Sequence, residues 1–251
     1  MAAHEDPRLE QVLAVDVGAT TIKFCHTDCA GEMLEAPKRR ATPYPCSPTR
    51  LVDLLSARIK KGGTRRVGVG FPGEFANGHV VRPGNLSRPG GVTTEIDPEL
   101  ARQWTDFALQ DVLRTATDRD VRVVNDATLA ALGCCRGVGN ELVLALGTGV
   151  GLALERNGVA HRIRDVGAAV FRDGRTFDQM LGERARSKDP AAWLVLLEEA
   201  IGAFAQEFEA TTVYLAGGNA KRVSPARFTQ LACEVLVSGN EALLRGAAKL
   251  F

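Results

Sequence analysis

Several features are scarce in this 251-residue sequence, and each absence excludes a class of protein. The net charge is only +1, so the composition indicates no broad attraction to nucleic acid or to a membrane surface. No stretch approaches the roughly 18 apolar residues of a membrane-spanning helix. Residues 1–7 lack the positive region and apolar core of a secretory signal. We therefore expect a cytoplasmic protein with neither nucleic acid nor a membrane as its partner.

The six cysteines give no sign of a zinc finger. None forms a C-x-x-C pair, and none lies beside histidine at zinc-finger spacing. The nearest approach is Cys25-His26 with Cys29, which falls in a predicted strand and turn. Free thiols, reduced in the cytosol, are the expected state of these side chains.

The composition is that of a folded protein with a substantial core. Hydrophobic residues make up 45% and charged residues 24% of the chain, enough for one large domain or two small ones. Predicted strands alternate with predicted helices, which indicates the α/β class. The predicted helices include Thr49–Lys60, capped by Thr49, and Pro190–Ala210, and one or two more span Pro98–Ala116.

A buried strand followed by a glycine turn stands near the start of the chain. Val12–Val15 is a continuous apolar run, and Asp16, Gly18, Thr20, Thr21 and Lys23 follow it. This pattern predicts a strand, a tight turn and a returning strand. Backbone N–H groups in such a turn can point at an anion, and Gly18 would let a phosphate come close.

A second stretch repeats this pattern far downstream. Leu142–Leu146 is apolar, Gly147-Thr148-Gly149 follows, and apolar residues return up to Leu154. A single hairpin of this kind is usually structural. The pair suggests two domains that face one phosphate-bearing ligand.

A carboxylate follows another predicted strand, Val121–Val124. Asn125-Asp126 comes directly after it, and a helix rich in small residues begins there. Asp126 could simply cap that helix. It could equally act as a general base, because open α/β sheets bind ligands beyond the carboxyl ends of their strands. Farther on, Thr211–Ala216 is a predicted strand, and Gly217-Gly218-Asn219 is predicted to open the next helix close to a nucleotide.

Taken in order, these motifs resemble the ROK (repressor, open reading frame, kinase) family of sugar kinases within the actin-like ATPase superfamily. The resemblance runs from about Leu13 to Phe251, at family-like spacing. It rests on five motifs: Asp16-x-Gly18-x-Thr20-x-x-Lys23, Gly68-x-Gly70-Phe71-Pro72-Gly73, Val124-Asn125-Asp126-Ala127, Leu146-Gly147-Thr148-Gly149-x-Gly151 and Ala216-Gly217-Gly218.

The resemblance implies the fold and its division. We expect an actin-like ATPase (ribonuclease H-like) fold with two α/β domains around a cleft. The N-terminal domain would comprise residues 12–113 with 236–251, and the C-terminal domain residues 114–235.

The resemblance also implies an ATP- and Mg²⁺-dependent transfer to a sugar. Asp126 would accept the proton of a sugar hydroxyl, and Asn85 and Asn125 would bind neighbouring hydroxyls. Asp16 would hold Mg²⁺, through water. The phosphates and adenosine would lie against Gly18, Thr20, Thr21, Gly147, Thr148, Gly149, Gly217 and Gly218. Lys23 would either reach a phosphate or sit on the outward face of its strand.

The sequence departs from the family at its sugar-binding Glu-x-Gly-His. The aligned residues are Asp165-Val166-Gly167-Ala168, so the acid is shorter and the histidine is absent. Asp165 would either bind the sugar or be a surface aspartate among Arg162 and Arg164. Because a hydrogen-bonding partner is lost at Ala168, we expect a substrate other than plain glucose, such as an amino, deoxy or cyclitol-like sugar.

A second departure is the missing zinc motif of one histidine and three cysteines, so no zinc is expected. The connection from Gly158 to Asp165 is short and the zinc segment is missing, which makes the chain similar in length to the polyphosphate/ATP glucokinase branch. Polyphosphate as the donor, and a sugar- or nucleotide-binding relative without activity, remain the alternatives. Dimers are common in the family, so the resemblance allows a homodimer.

Overall fold

The computed structural model describes residues 10–239 and 241–251. They form two compact units: the described residues up to Leu129 together with Leu243–Phe251, and Ala130–Ala242. Residues 1–7, for which no secretory signal was predicted, lie outside the described part. None of the described helices is both long enough and apolar enough to cross a membrane.

The first unit contains a five-stranded sheet and a separate hairpin. Its elements are β1 (Val12–Val17), β2 (Thr21–Thr27), β3 (Lys38–Ala41), α1 (Pro48–Gly62), β4 (Arg66–Phe71), β5 (Glu74–Ala76), β6 (His79–Arg82), α2 (Pro98–Trp104), α3 (Leu109–Thr117), β7 (Asp120–Asn125) and α4 (Asp126–Cys134), which continues into the second unit. The strand order is β3-β2-β1-β4-β7, in which β1, β4 and β7 are parallel. The central β1 is buried at every residue, as its unbroken apolar run predicts.

Helix α1 begins earlier than predicted. Its N-cap is Ser47, whose hydroxyl accepts a hydrogen bond from the N–H of Arg50 at 3.2 Å, so the predicted Thr49 cap is wrong. Pro48 occupies the first turn, where no N–H is needed, and Gly63 ends the helix in a left-handed conformation.

The second unit has a sheet of the same plan. Its elements are β8 (Asn140–Leu146), β9 (Val150–Arg156), β10 (Val159–Ile163), β11 (Val170–Arg172), β12 (Arg175–Thr176), α5 (Phe177–Leu181), α6 (Glu183–Lys188), α7 (Pro190–Glu207), β13 (Thr212–Ala216) and β14 (Glu234–Gly239), and α8 (Ala242–Ala248) returns to the first unit. The order β10-β9-β8-β13-β14 repeats that of the first sheet. In both sheets, a three-stranded antiparallel meander is extended by two strands parallel to its first strand. The predicted α/β class and actin-like ATPase fold are therefore confirmed.

One helix predicted in this unit is wrong. After β13 the chain forms two short 3₁₀-helices, Ala220–Arg222 and Pro225–Phe228, rather than an α-helix. Pro225 follows three residues later, and a proline disfavours helical geometry in the residue before it.

The division between units also differs from the boundaries predicted after residues 113 and 235. Strand β7 pairs with β4 from Arg66↔Asp120 to Phe71↔Asn125, which holds it in the first sheet. Strand β14 pairs with β13, which keeps residues up to Gly239 in the second. Hydrogen-bonded pairing thus assigns β7 to the first unit and β14 to the second, and the sequence pattern carries little information about which strands pair.

The close approach of α8 to β4 gives a stability prediction. A Cβ built at Gly68 would lie 2.7 Å from the Cβ of Ala247, so Gly68→Ala should destabilise the first unit by about 1–3 kcal/mol. The matched control is Gly202→Ala in α7, where a Cβ would meet only Leu231 at 3.5 Å. Because alanine favours a helix interior, that change should stabilise by about 0.5–1 kcal/mol.

Urea unfolding measures both effects, followed by the fluorescence of Trp104 in the first unit and Trp193 in the second. An unchanged midpoint for Gly68→Ala would contradict the packing described here.

Candidate active site

The β1–β2 hairpin carries a partly buried ion pair. Asp16 and Lys23 lie directly opposite each other on the two strands, and Lys23 Nζ donates to Asp16 Oδ2 at 2.7 Å. Asp16 is 5% exposed. The ammonium group of Lys23 therefore offsets the charge of this carboxylate, which is a more specific role than either one predicted for Lys23.

Hydrogen bonds within the turn of this hairpin, and from side chains outside it, fix its conformation. The N–H of Gly18 donates to the carbonyl of Thr21 at 3.1 Å, and a Cβ at Gly18 would lie 2.7 Å from that oxygen. Thr42 Oγ1 donates to the Gly18 carbonyl at 2.7 Å, and the Tyr44 hydroxyl donates to the Ala19 carbonyl at 2.6 Å. Burial raises the pKa of Tyr44 to about 12, so its hydroxyl stays a donor.

The structure gives a reason for glycine at position 18 that differs from the expected close approach of a phosphate. Gly18 is required by the turn itself, because any side chain would collide with the Thr21 carbonyl. Thr20 lies exposed at the tip and is accessible to a ligand.

The side-chain amide of Asn125 forms its hydrogen bonds with the protein backbone. It is 5% exposed at the end of β7, and its Nδ2 donates to the Gly73 carbonyl at 2.7 Å. Its Oδ1 accepts a hydrogen bond from the N–H of Ala127 at 2.9 Å. The side chain thereby fixes the junction between β7 and α4, where Asp126 stands.

Asp126 lies at the carboxyl edge of the first sheet and is partly exposed. One of its oxygens accepts a hydrogen bond from the N–H of Ala127 at 2.8 Å, as a first-turn acid would. The pairings Asp16↔Gly70 and Gly70↔Val124 bring Asp16 to the same edge. Two strand spacings separate β1 from β7, about 10 Å.

The segment of Asn85 is packed onto this edge. Asn85 belongs to a 3₁₀-helix, Gly84–Ser87, and is partly buried. A Cβ on Gly84 would lie 2.5 Å from the carbonyl oxygen of Pro72, so this glycine lets the segment sit against Pro72 and Gly73. The carbonyl of Gly73 is also the acceptor of the Asn125 side-chain hydrogen bond. The segment that contains Asn85 and the side chain of Asn125 therefore both contact Gly73.

The second unit presents its own hairpin between β8 and β9. The N–H of Gly147 donates to the carbonyl of Gly149 at 3.0 Å, and Thr148 is exposed at the tip. A Cβ built on Gly147 would meet nothing within 4 Å, so open space lies in front of this residue. A phosphate could approach the backbone there.

Two residues outside the predicted site support this hairpin. Asn219 Nδ2 and the backbone N–H of Glu183 both donate to the Gly147 carbonyl, at 3.1 and 3.0 Å. Gly217 has a left-handed φ of 88°, and a Cβ there would collide with the Leu146 carbonyl. Gly217 is thus required by packing, whereas Gly218 is exposed.

Asp178 is a third such residue. Its Oδ1 accepts a hydrogen bond from the N–H of Val150 at 2.7 Å, and its carboxylate occupies the space where a Cβ of Gly149 or Gly167 would lie. Burial raises the pKa of Asp178. The side chain therefore links the Gly147 hairpin to the segment that follows Asp165.

Asp165 is exposed and has a left-handed φ of 57°. It precedes a 3₁₀-helix, Val166–Ala168, that turns past Asp178. Aspartate adopts this conformation more readily than most residues, and six other non-glycine residues of the described chain share it. The sequence gives only a weak signal for the role of Asp178. This residue lies within the Thr176-x-x-Gln179 capping box, in the first turn of α5, where acidic side chains are common for structural reasons.

The paired sheets and their glycine hairpins define an α/β protein of the actin-like ATPase class. The sequence model of the ROK family matches residues 12–167. The chain belongs to the ROK family.

One curated relative is a glucokinase of Halalkalibacterium halodurans. It is 33% identical over 161 residues, which cover 58% of this chain and 44% of the relative. The match thus spans less than half the length of that protein.

Solved structures resemble the chain over nearly its whole length. An inorganic polyphosphate/ATP-glucomannokinase from Arthrobacter sp. strain KM is 26% identical, with a TM-score of 0.78 and coverage of 96% of this chain and 97% of that one. A ROK family glucokinase from Streptomyces griseus, in complex with glucose and AMPPNP, is 19% identical with a TM-score of 0.69, over 96% and 98%. The latter likeness shows the fold alone.

Glu183, whose backbone N–H donates to the Gly147 carbonyl, also forms an ion pair through its side chain, and this pair leads to a prediction about stability against pH. Arg186 binds Glu183 through two hydrogen bonds of 2.7 and 2.8 Å. This guanidinium lowers the pKa of Glu183 from 4.5 to about 2. A lowered pKa in the folded state stabilises the protein above the ordinary pKa, and that contribution is lost as the pH falls towards the lowered value.

We therefore expect Glu183→Gln to be less stable than the parent at neutral pH, with the difference shrinking between about pH 4.5 and pH 2. The difference is small because the Glu183 carboxylate is 46% exposed. Urea midpoints of both proteins across this range measure it. A gap that is constant over the whole range would contradict the ion pair.

Proposed function

We propose that the protein is a sugar kinase that transfers the γ-phosphoryl group of ATP to a hydroxyl of a hexose or hexose-like substrate. The observation that carries the proposal is the position of two carboxylates, Asp16 and Asp126, at the carboxyl ends of the three parallel strands β1, β4 and β7. Membership of the ROK family and the likeness to a glucomannokinase support it.

Asp126 is the proposed general base. It is partly exposed at a strand end, and one of its oxygens is oriented by the N–H of Ala127, which leaves the carboxylate positioned to accept the proton of a sugar hydroxyl. Asn125 acts mainly as a positioning residue in this proposal, because its amide holds Gly73 and Ala127. Asn85 is the proposed contact to a neighbouring hydroxyl.

Asp16 is the proposed residue for Mg²⁺. A carboxylate near phosphates suits this ion, which keeps several waters, and Lys23 engages only one of the two oxygens of Asp16. The bound ion would supply charge neutralisation at the transferred phosphoryl group.

The hairpin tips are the proposed phosphate ligands. Thr20 is exposed at the tip of the first hairpin, and the open space at Gly147 leaves the backbone of the second accessible. The N–H groups of Thr148 and Gly149 would face the phosphates, and the exposed Gly218 would face the adenosine.

The acceptor is proposed to be a sugar other than plain glucose. Asp165 stands where the family usually has glutamate, and Ala168 stands where it usually has histidine; both are exposed. The site therefore lacks one hydrogen-bonding side chain, which changes its discrimination among hydroxyl patterns.

Polyphosphate is the second candidate donor. Arg39 lies directly opposite Lys23 on β2 and β3, so Arg39, Lys23 and Asp16 form one row across the sheet. With Lys38 and Arg40, this edge strand is exposed and basic, which favours a long anion. The matching glucomannokinase is named for both donors.

The base assignment predicts a large kinetic effect of Asp126→Asn. Turnover in a coupled assay for ADP release should fall by about a hundredfold to ten-thousandfold, because the amide cannot accept the proton. Sugar binding, measured by calorimetry, should persist.

Asp120→Asn, at the other end of the same strand, is the control and should keep full activity. Equal turnover of Asp126→Asn and the parent would favour a binding protein without kinase activity.

The substrate proposal predicts a preference in a panel of glucose, 2-deoxyglucose, glucosamine and inositol, each tested with ATP and with polyphosphate. The parent should prefer one of the other three over glucose. Ala168→His should raise kcat/KM for glucose by about tenfold, the value of one hydrogen bond.

The adjacent exposed Ala169→His is the matched control and should change little. A clear preference of the parent for glucose would refute the proposal.

A further inference from the structure

Two buried glutamates face each other at the end of the second sheet opposite the Gly147 hairpin. Glu141 lies near the start of β8 and Glu155 near the end of β9, and the two are directly paired across the strands. They are 1% and 3% exposed. Like charges in such a pair repel each other, so a bound cation or a shared proton must relieve the repulsion.

Glu141 is held as an anion by its neighbours. Its oxygens accept hydrogen bonds from the Tyr214 hydroxyl at 2.7 Å and from the N–H groups of Gly137 and Arg136 at 2.6 and 3.1 Å. Although burial opposes it, these donors keep the pKa of Glu141 below its ordinary value. Ligating carboxylates are commonly oriented by hydrogen bonds of this kind.

The carboxylate of Glu155 has fewer hydrogen-bond donors around it than that of Glu141. Its Oε1 accepts a hydrogen bond from the N–H of Gly158, but its Oε2 is buried and receives no hydrogen bond from an N–H or hydroxyl group among the described residues. Burial, followed by hydrogen bonding with the carboxyl group of Glu141, raises the pKa of Glu155. A buried carboxylate oxygen without such a donor is costly, and a cation would remove the cost.

A thiol completes the group. Cys135, just after α4, places its sulfur so that one ligand atom from each of Cys135, Glu141 and Glu155 lies within 4.8 Å of the others. Bond lengths of about 2.3 Å to sulfur and 2.0–2.2 Å to oxygen put the ligands of a tetrahedral zinc ion roughly 3.5 Å apart. Modest side-chain rotations would therefore close the three atoms around one ion.

We propose that Cys135, Glu141 and Glu155 bind a zinc ion, with water as the fourth ligand. A thiolate beside carboxylates favours zinc over Mg²⁺ or Ca²⁺. Cys135 is only partly buried, which provides access for the ion and the water. The ion would tie the segment after α4 to the β8–β9 pair.

This proposal departs from the expectation that the chain binds no zinc. That expectation rested on the missing motif of one histidine and three cysteines, and the cluster uses different residues. Residues 135, 141 and 155 have no recognisable metal-ligand spacing; cross-strand pairing brings the two glutamates together, and the end of α4 brings Cys135 to them.

The test is a titration of the chelator-treated 251-residue protein with Co²⁺, a coloured substitute for zinc, followed by calorimetry with Zn²⁺. One Co²⁺ should bind per chain and show a thiolate-to-cobalt absorption band. Glu155→Gln and Cys135→Ser should each weaken binding by more than about tenfold. Zn²⁺ should raise the unfolding temperature of the parent but not of Glu155→Gln.

Cys29→Ser removes an exposed thiol from the first unit and is the matched control, with unchanged binding expected. Glu155→Gln keeps the side-chain shape and removes one of the repelling charges, so it should fold. A parent protein without the absorption band, or equal affinity in the parent and both cluster variants, would overturn the proposal and leave a shared proton between the glutamates. These readouts do not depend on kinase activity.

Discussion

The parallel pairing of β1, β4 and β7 is the constraint on which the candidate site depends. Its register places Asp16, Gly70 and Val124 in one row, and Asn125 and Asp126 directly beyond that row. No loop conformation is needed to bring the two carboxylates to one edge. Because a shift of one residue would turn each side chain to the other face, the register also decides whether the site exists.

Rigid support of the hairpins is the second theme of the structure. Thr42 and Tyr44 hold the Gly18 turn, and Asn219 with Glu183 holds the Gly147 turn. In both cases the supporting groups bind backbone carbonyls. Turns supported in this way can present N–H groups to an anion with little reorganisation, which is what phosphoryl transfer requires of its surroundings.

The secondary structure was largely predictable because its signals are local, whereas the fold was expected from the family resemblance. The apolar runs before Gly18 and Gly147 and the small-residue helix after Asp126 indicated strands, turns and a helix that the structure contains. The supporting residues were not predictable. Asn219, Asp178 and Glu183 lie 28 to 72 residues along the chain from the hairpin residues that they contact, and each has an ordinary local role at a helix start or in a turn.

The roles of single residues show the same limit. A glycine required by a turn and a glycine that admits a phosphate look alike in a sequence, yet Gly18 is crowded by Thr21 whereas Gly147 faces open space. Likewise Asn125 matched a substrate-binding motif, and the structure shows its amide bound to backbone. Only tertiary contacts distinguish these cases.

The most direct test of the central claim is a crystal structure of the protein with its preferred sugar and a non-hydrolysable ATP analogue. The account predicts a sugar hydroxyl about 2.6–3.2 Å from the Asp126 carboxylate, with the metal ion next to Asp16. A sugar bound away from the carboxyl edge of β1, β4 and β7, or an Asp126 side chain with no contact to it, would contradict the account.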